Sequence, residues 1–430
     1  MKIKRVAALA LAVMMILSLS ACGLFSSSGG SVYWLNYKPE LEDTLLSIAA
    51  RYKEEKGVDV KIVTPESGAY NSTLRAEMAS DEPPTMFVVT DQKSADEWAS
   101  SALDLSSRAV TSELTTAAYN LTDEDDKTIA IPYCLECYGI AVNPSLIEIV
   151  GYSVDDITDF DTLKLLAEAI HNNASWLGYD AFSSPDLDDG SSWRLTAHLA
   201  NLEYYYEEKD GSSWDECPAS LTGAYMQNYK QLYDVIVNNA ASTPEEAAAG
   251  GHQPLDEFAA GKTAFCLAGS WDYAKLSAAI PDVTIIPYYC GVKGEEKAAL
   301  NSGSENYWAV NQLAPEEDQK ATLAFMKWLV TDAEASSMLV EQLGNMPYKN
   351  AKEAVNGFLA KQDEYLADGC YRMDWLMTYQ PNVDAYRADL RDALKVYNTD
   401  QTDENWEKVR AAFVDGWAKQ YDALNNVYPE

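Results

Sequence analysis

The sequence predicts an α/β chain folded as two lobes with a cleft between them, the lobes joined by several crossovers. Three observations predict it. From Val32 onward, short apolar strands alternate with amphipathic helices, the rhythm of a parallel sheet covered by helices on both faces. The 430 residues exceed what one core organises, since a domain of ~150 residues implies two or three units here. No Gly/Pro/Ser-rich linker interrupts the chain after Ser31. Two domains without such a boundary imply a chain that passes between them more than once.

The first elements concern location. Lys2, Lys4 and Arg5 form a basic start, residues 6–19 are apolar except for Ser18, and small residues lead to Cys22. Residues 1–21 therefore read as a secretory signal. The apolar run falls short of the ~18–20 residues that span a bilayer. Leu19-Ser20-Ala21-Cys22 resembles the bacterial lipobox, which implies lipid on Cys22 after cleavage. Residues 22–31, with Ser26-Ser27-Ser28-Gly29-Gly30-Ser31 at their end, read as a lipid-anchored flexible linker. Such a coil spans roughly 15–18 Å root-mean-square, enough to clear the headgroups.

The body follows in order. Residues 32–35 form a strand. Residues 41–52 carry Leu41, Leu45, Ile48 and Tyr52 at helical spacing, and Gly57 ends that helix. Residues 58–63 form a strand, 70–79 a helix, and 86–89 a strand bounded by Pro84 and Asp91. Residues 129–142 are extended and apolar. Residues 146–280 are mostly helical, interrupted by an extended 263–268. Strands at 283–289 and 307–310 precede a helical stretch from Pro315 to residue 424. With crossings at 129–142 and 287–310, lobe one is expected to comprise 32–135 plus about 290–345. Lobe two is expected to comprise 136–289 plus about 346–430.

Composition excludes several functions. A formal charge of −35 and a pI near 4.3 repel nucleic acid and anionic lipid. Mean hydropathy is −0.26, as in soluble globular proteins. With Cys22 assigned to lipid, six cysteines remain, and their spacings select no pairing. Cys134 and Cys137 form a C-x-x-C, but no second such motif supplies further zinc ligands. Residues 133–142 read as one continuous strand that would point these thiols to opposite faces, so they are buried small residues. The three histidines, His171, His198 and His252, form no catalytic or metal motif. Asp186-Leu187-Asp188-Asp189-Gly190 faintly resembles a calcium loop, yet Gly190 stands at position five and no glutamate at position twelve. It reads as an acidic turn, so no metal and no cofactor are expected.

Aromatic residues say more. Eleven Trp and 27 Tyr accompany only nine Phe, an excess of rings that present a flat apolar face and still hydrogen-bond. Several stand where a strand ends: Trp34, Tyr37, Trp271, and Tyr307 with Trp308. Sugars stack their C–H faces on such rings and offer hydroxyls to Asp, Glu, Asn and Lys. Trp328, Trp406 and Trp417 read as core.

Two segments carry a family resemblance: EFAAGKTAFCLAGSWDYAKL at 257–276 and AIPYCLECYGIAVNPSLIEIVGY at 130–152. They are similar to family 1 extracellular solute-binding proteins, the sugar receptors of ABC importers. The resemblance extends to 308–311, to the helix at 316–330 and to GNMPYKN at 344–350. It implies a periplasmic-binding-protein-like fold whose ligand sits in the interlobe cleft. It also implies no enzymatic activity, a mono- or oligosaccharide ligand, permease subunits as partners, attachment to the outer face of the cytoplasmic membrane, and a monomer. By motif it assigns sugar contacts to Glu136, followed by Asn143, and to the stacking Trp271. Asn36, Tyr37 and Lys38 fall in the first strand–helix loop, and Asp91 in the loop after the third strand. Trp308 adds a strand-end ring, and Trp193, Trp375 and Tyr379 are further expected aromatic contacts. The chain departs from the family at NYKPE (36–40) and in an acidic insertion around 204–216, so the sugar need not be maltose. The competing expectations are a receptor for a cationic solute such as a polyamine, suggested by the negative charge, and a secreted glycosidase.

Overall fold

The computed structural model describes residues 30–427 apart from 67–68, 118, 212–213, 215–216 and 352–355. The signal segment, Cys22 and the linker up to residue 29 lie outside the described residues. Twelve strands occur among them: β1 Val32–Leu35, β2 Val60–Val63, β3 Met86–Val89, β4 Leu121–Thr122, β5 Thr128–Pro132, β6 Glu136–Val142, β7 Asp180–Phe182, β8 Thr263–Gly269, β9 Thr284–Ile286, β10 Ala298–Gly303, β11 Tyr307–Val310 and β12 Tyr371–Asp374.

They form two sheets. The first runs β2-β1-β3-β11-β5-β4; the second runs β12-β10-β6-β8-β7, with β9 also on β6. β1, β2 and β3 are parallel, as their intervening helices require. β11 lies antiparallel between β3 and β5 because it arrives from the other sheet. β6 is antiparallel to β8, β9 and β10. Both sheets are therefore mixed rather than purely parallel.

Each lobe owns a core. In lobe one, the helix Glu42–Lys56 buries Leu45, Ile48 and Tyr52 and ends at Gly57, whose φ of 72° suits glycine. Beneath it the Tyr133 and Trp308 rings stack with centroids 4.8 Å apart, and Trp34 meets Trp308 edge-on at 5.7 Å. In lobe two, Tyr204, Tyr229, Tyr386, Phe413 and Trp417 lie fully enclosed between the helices. The helix Asn201–Asp210 carries Tyr204, Tyr205 and Tyr206 into that core. The stretch expected as an acidic insertion is thus structural at its start.

The chain crosses within both expected runs, 129–142 and 287–310, but the second crossing lies after residue 303 rather than near 290. Residues 133–135 break the extended 129–142 run into β5 and β6, so Cys134 joins the lobe-one core while Cys137 joins an apolar cluster in lobe two. β10 pairs with β6 and β12, so residues 290–303 belong to lobe two and the chain returns to lobe one at 304–306. Tyr348 donates to the Pro132 carbonyl at 2.8 Å, and Lys349 donates to the Ser112 carbonyl at 2.7 Å. Residues 346–351 therefore stay with lobe one. No described helix is long and apolar enough to cross a membrane.

Candidate functional site

The crossovers are bound to one another. Tyr133 donates its N–H to the Asn306 carbonyl at 3.0 Å and Leu135 donates to the Asn345 carbonyl at 3.1 Å. Glu136, the first residue of β6, accepts from Asn306 Nδ2 at 2.8 Å and from Lys38 Nζ at 3.0 Å. Lys38 comes from lobe one, so this ion pair spans the lobes, with side chains only 13% and 5% exposed. Asn36 shapes the Lys38 loop: its Nδ2 donates to the Lys38 carbonyl at 2.6 Å, and Lys38 N–H donates to its Oδ1 at 3.1 Å. Tyr37 rests edge-on against Tyr70 at 5.2 Å. Burial, with Glu305 adding, raises the Tyr37 hydroxyl above the ordinary tyrosine value.

Beside these crossovers lies a cleft of about 1210 Å³ walled by both lobes. Lobe one supplies Asp91 and the segment from Tyr119 to Asp125; lobe two supplies Ser302, Gly303, Trp375 and Tyr379. Arg372 on β12 reaches across it. One guanidinium nitrogen donates to the Tyr119 hydroxyl, and Nε donates to Asp374 Oδ1 at 2.6 Å. Asp91 caps the helix Gln92–Trp98, accepting Ser94 N–H at 2.6 Å. Burial raises its carboxyl and the Ser94 bonds oppose that rise. Tyr379 donates to the Trp214 carbonyl at 3.0 Å.

Trp375, which lines the cleft, belongs to a larger cluster of rings in lobe two. Trp271 stacks on Tyr138 at 5.5 Å, and Trp193 lies 6.1 Å from Trp271 and 5.9 Å from Tyr138. Trp375 stands edge-on to Trp271 at 6.4 Å. His198 sits in the middle, stacked on Tyr138 at 4.1 Å and edge-on to Trp375 at 5.0 Å. Two glycines make room for the indoles. A Cβ at Gly269 would lie 2.5 Å from the Trp271 ring, and one at Gly303 would lie 2.8 Å from Trp375. His198 lies on the π-helical turn Arg194–Leu199, a local irregularity frequent at functional sites.

Charge in this cluster is set by burial. Burial drives His198 well below the ordinary histidine range, and Arg387 and Arg194 push it the same way, so the imidazole is neutral at pH 7. Burial pushes Asp272 up to about 6, against the Gly269 N–H and Arg194, which favour the ionised form. Several enclosed polar atoms here have no partner in the protein: Tyr138 and Tyr288 hydroxyls, His198 Nδ1, Asn301 Oδ1, Arg194 Nε and Trp375 Nε1. A ring wall edged with unmatched donors and acceptors suits a ligand that is flat on one face and hydroxylated at its rim.

The expected site residues thus divide into four. Trp193, Trp271 and Trp375 come together in the ring cluster. Asp91, Trp375 and Tyr379 line the cleft. Lys38 and Glu136 meet at the crossovers with Asn36 and Tyr37 beside them, and both Glu136 oxygens are already engaged. Trp308 is elsewhere: it is enclosed in the lobe-one core, because it lies within β11, which runs between β3 and β5 in the first sheet. Tyr138, His198 and Arg194 had no sequence signal; Tyr138 sits within an apolar strand and nothing in residues 194–199 announces a π-turn.

The acidic stretch 186–190 is a hydrogen-bonded turn. Asp186 accepts from Gly251 and His252 N–H, and Asp188 accepts from Gly190 and Ser191 N–H. Among the described residues, no group of three or more potential ligands clusters as for a metal. All six described cysteines are free.

Comparison with known proteins places this geometry. No curated protein sequence matches the chain. In solved structures, the chain is similar to RafE in complex with raffinose, at 18% identity over 89% of this chain and 98% of that one, with a TM-score of 0.67. A family 1 extracellular solute-binding protein from Bifidobacterium longum subsp. infantis gives 18% identity, 91% and 100% coverage and a TM-score of 0.60. A sugar transporter from Bacillus licheniformis, in complex with stachyose, gives 16% identity, 91% and 100% coverage and a TM-score of 0.62. These likenesses establish the two-lobed periplasmic-binding-protein-like fold. The family model for bacterial extracellular solute-binding proteins matches residues 47–368, and the chain belongs to that family.

Proposed function

We propose that this protein is the receptor of a carbohydrate ABC importer, capturing a mono- or oligosaccharide between its lobes and presenting it to permease subunits. The observation that carries the reading is the cleft bordered by Trp375 and Tyr379 on one lobe and by Asp91 on the other, with Trp271 and Trp193 in the ring cluster behind Trp375. The raffinose and stachyose complexes of the structural neighbours support it. Glu136 and Lys38 contribute from the crossovers, where a ligand hydroxyl can join an existing ion pair. Tyr379 adds a ring at the cleft.

Stacking contributes ~0.5–1.5 kcal/mol per ring, and hydrogen bonds to charged groups ~1.5–3 kcal/mol each. A few of each give roughly micromolar affinity after ordering costs. A ligand that touches both lobes only when they approach shifts the population toward the closed form, which is what a permease recognises. The signal-like residues 1–21 and the lipobox cysteine support export and anchoring through Cys22, with the monomer tethered outside the cytoplasmic membrane. The function is capture without turnover. A thermal-shift screen over mono- and oligosaccharides tests the reading: a saccharide raises the melting temperature and spermidine does not. A shift with spermidine alone, abolished by salt, contradicts it, as does hydrolysis of an oligosaccharide by the purified protein.

A further inference from the structure

The ring cluster of lobe two holds positive charge that the fold leaves unanswered. The Arg194 guanidinium lies over the Trp193 ring at 4.3 Å, and its enclosed Nε has no partner. Arg387 donates Nε to Gln380 Oε1 at 2.6 Å, and Gln380 Nε2 donates to the Thr196 carbonyl at 2.9 Å. Arg387 is thereby tethered to the same π-helical turn that Arg194 begins, and the charges of both are felt at His198. Among the described residues, neither guanidinium forms an ion pair with a carboxylate, although the chain carries 67 acidic residues against 32 basic ones.

The carboxyls that sense these charges are poor counter-ions: burial holds Asp272 and Glu305 toward their neutral forms. The acidic rim of the cleft is, by contrast, locally engaged. Asp91 accepts from Ser94, Asp96 from Gln92, Asp125 from Lys127 and Asp374 from Arg372. A partly buried guanidinium presents a planar fork matched to a carboxylate, and such cations are rarely buried unless paired.

We infer that the lobe-two ring cluster receives a sugar unit bearing a carboxylate, a uronate, gripped by Arg194 and Arg387 while its ring stacks on the indoles. This rests on the carbohydrate reading and narrows its substrate class.

Isothermal titration of the intact protein with trigalacturonate and a glucuronate-bearing xylotriose, against neutral xylotriose and maltotriose, tests it. At least one uronate is expected to bind ten times or more tighter than either neutral trisaccharide, and to weaken between 150 and 500 mM salt. Arg194→Gln and Arg387→Gln each remove about tenfold of that affinity with the melting temperature kept. Arg194→Lys and Arg387→Lys recover it only in part. Arg391→Gln, one turn further along the helix Val383–Thr399 and paired with Asp189, leaves it unchanged. The inference is overturned if a neutral trisaccharide binds as tightly as both uronates, or if the uronate advantage survives both Gln substitutions. Neutral binding leaves the carbohydrate reading standing, and failure of all four probes to bind overturns the uronate assignment alone, the carbohydrate reading being decided by the thermal-shift screen.

Discussion

Both lobes place tryptophans in or just beyond their strands, yet the two sets of rings have different surroundings. In lobe one, Trp34 and Trp308 are completely enclosed, with Tyr133 stacked on Trp308 and Phe325 against Trp34. In lobe two, Trp193 and Trp271 keep part of their surface accessible and border a neutral histidine, a guanidinium and hydroxyls without partners. The difference lies in what closes over the ring. Strands β1 and β11 run through the first sheet beneath the helices Glu42–Lys56 and Glu316–Thr331. Trp271 instead stands in the short 3-10 turn that leaves β8, and Trp375 in the loop that leaves β12. Trp271, just past the end of its strand, keeps part of its surface accessible, whereas the rings inside strands are enclosed.

The comparison breaks most readily at Trp308. Trp308→Ala removes a fully enclosed indole and is expected to cost ~3–5 kcal/mol, read as a lowered urea midpoint with the denaturant slope unchanged. A loss below 1 kcal/mol contradicts its assignment to the core.

Asp272 sharpens the same contrast through pH. Its folded value of about 6 lies above the ordinary 3.8, so the native state holds the proton more tightly than the unfolded chain does. The stabilisation is complete below pH 4 and is lost as pH rises through 6, amounting to about 3 kcal/mol at ~1.4 kcal/mol per unit. Asp272→Asn flattens that part of the stability profile; an unchanged slope between pH 4 and 7 refutes the assignment.

A smaller effect is expected at the boundary between the regions. Lys38→Met leaves the Glu136 carboxylate enclosed with Asn306 alone and costs about 1–3 kcal/mol. Glu136→Gln in the same background restores part of it. If the double variant is no more stable than the single one, the ion pair does not span the lobes as described.

The sequence announced the strand–helix succession of lobe one closely, because apolar strand runs and Gly57 are local signals. β3 and β11 fall where the apolar runs place them. β7 and β12 were not legible: three or four residues that pair with strands far along the chain leave no periodicity of their own. The same holds for β10, whose partners β6 and β12 decide its lobe, so the lobe boundary falls after residue 303 rather than near 290. Within the candidate site, Trp271 was picked out by the family-like motif Gly269-Ser270-Trp271, and the structure adds that the indole occupies the room left by the missing Cβ of Gly269. Trp375 depends likewise on Gly303, but that glycine lies seventy-odd residues upstream and pairs with it only across the sheet. Trp308 carried the same strand-end signature as Trp271 and proved to be core, since sequence shows where a strand stops and not what covers it. His198 and Arg194 were invisible because a π-turn follows from tertiary constraint rather than from residue type.

The account is tested most directly at Trp271. Titration of the wild type and of Trp271→Ala with the saccharide that gives the largest thermal shift is predicted to show at least a tenfold loss of affinity, with the melting temperature lowered by no more than a few degrees. Equal affinities would contradict the account, and so would a variant whose lost binding merely follows a collapse in stability.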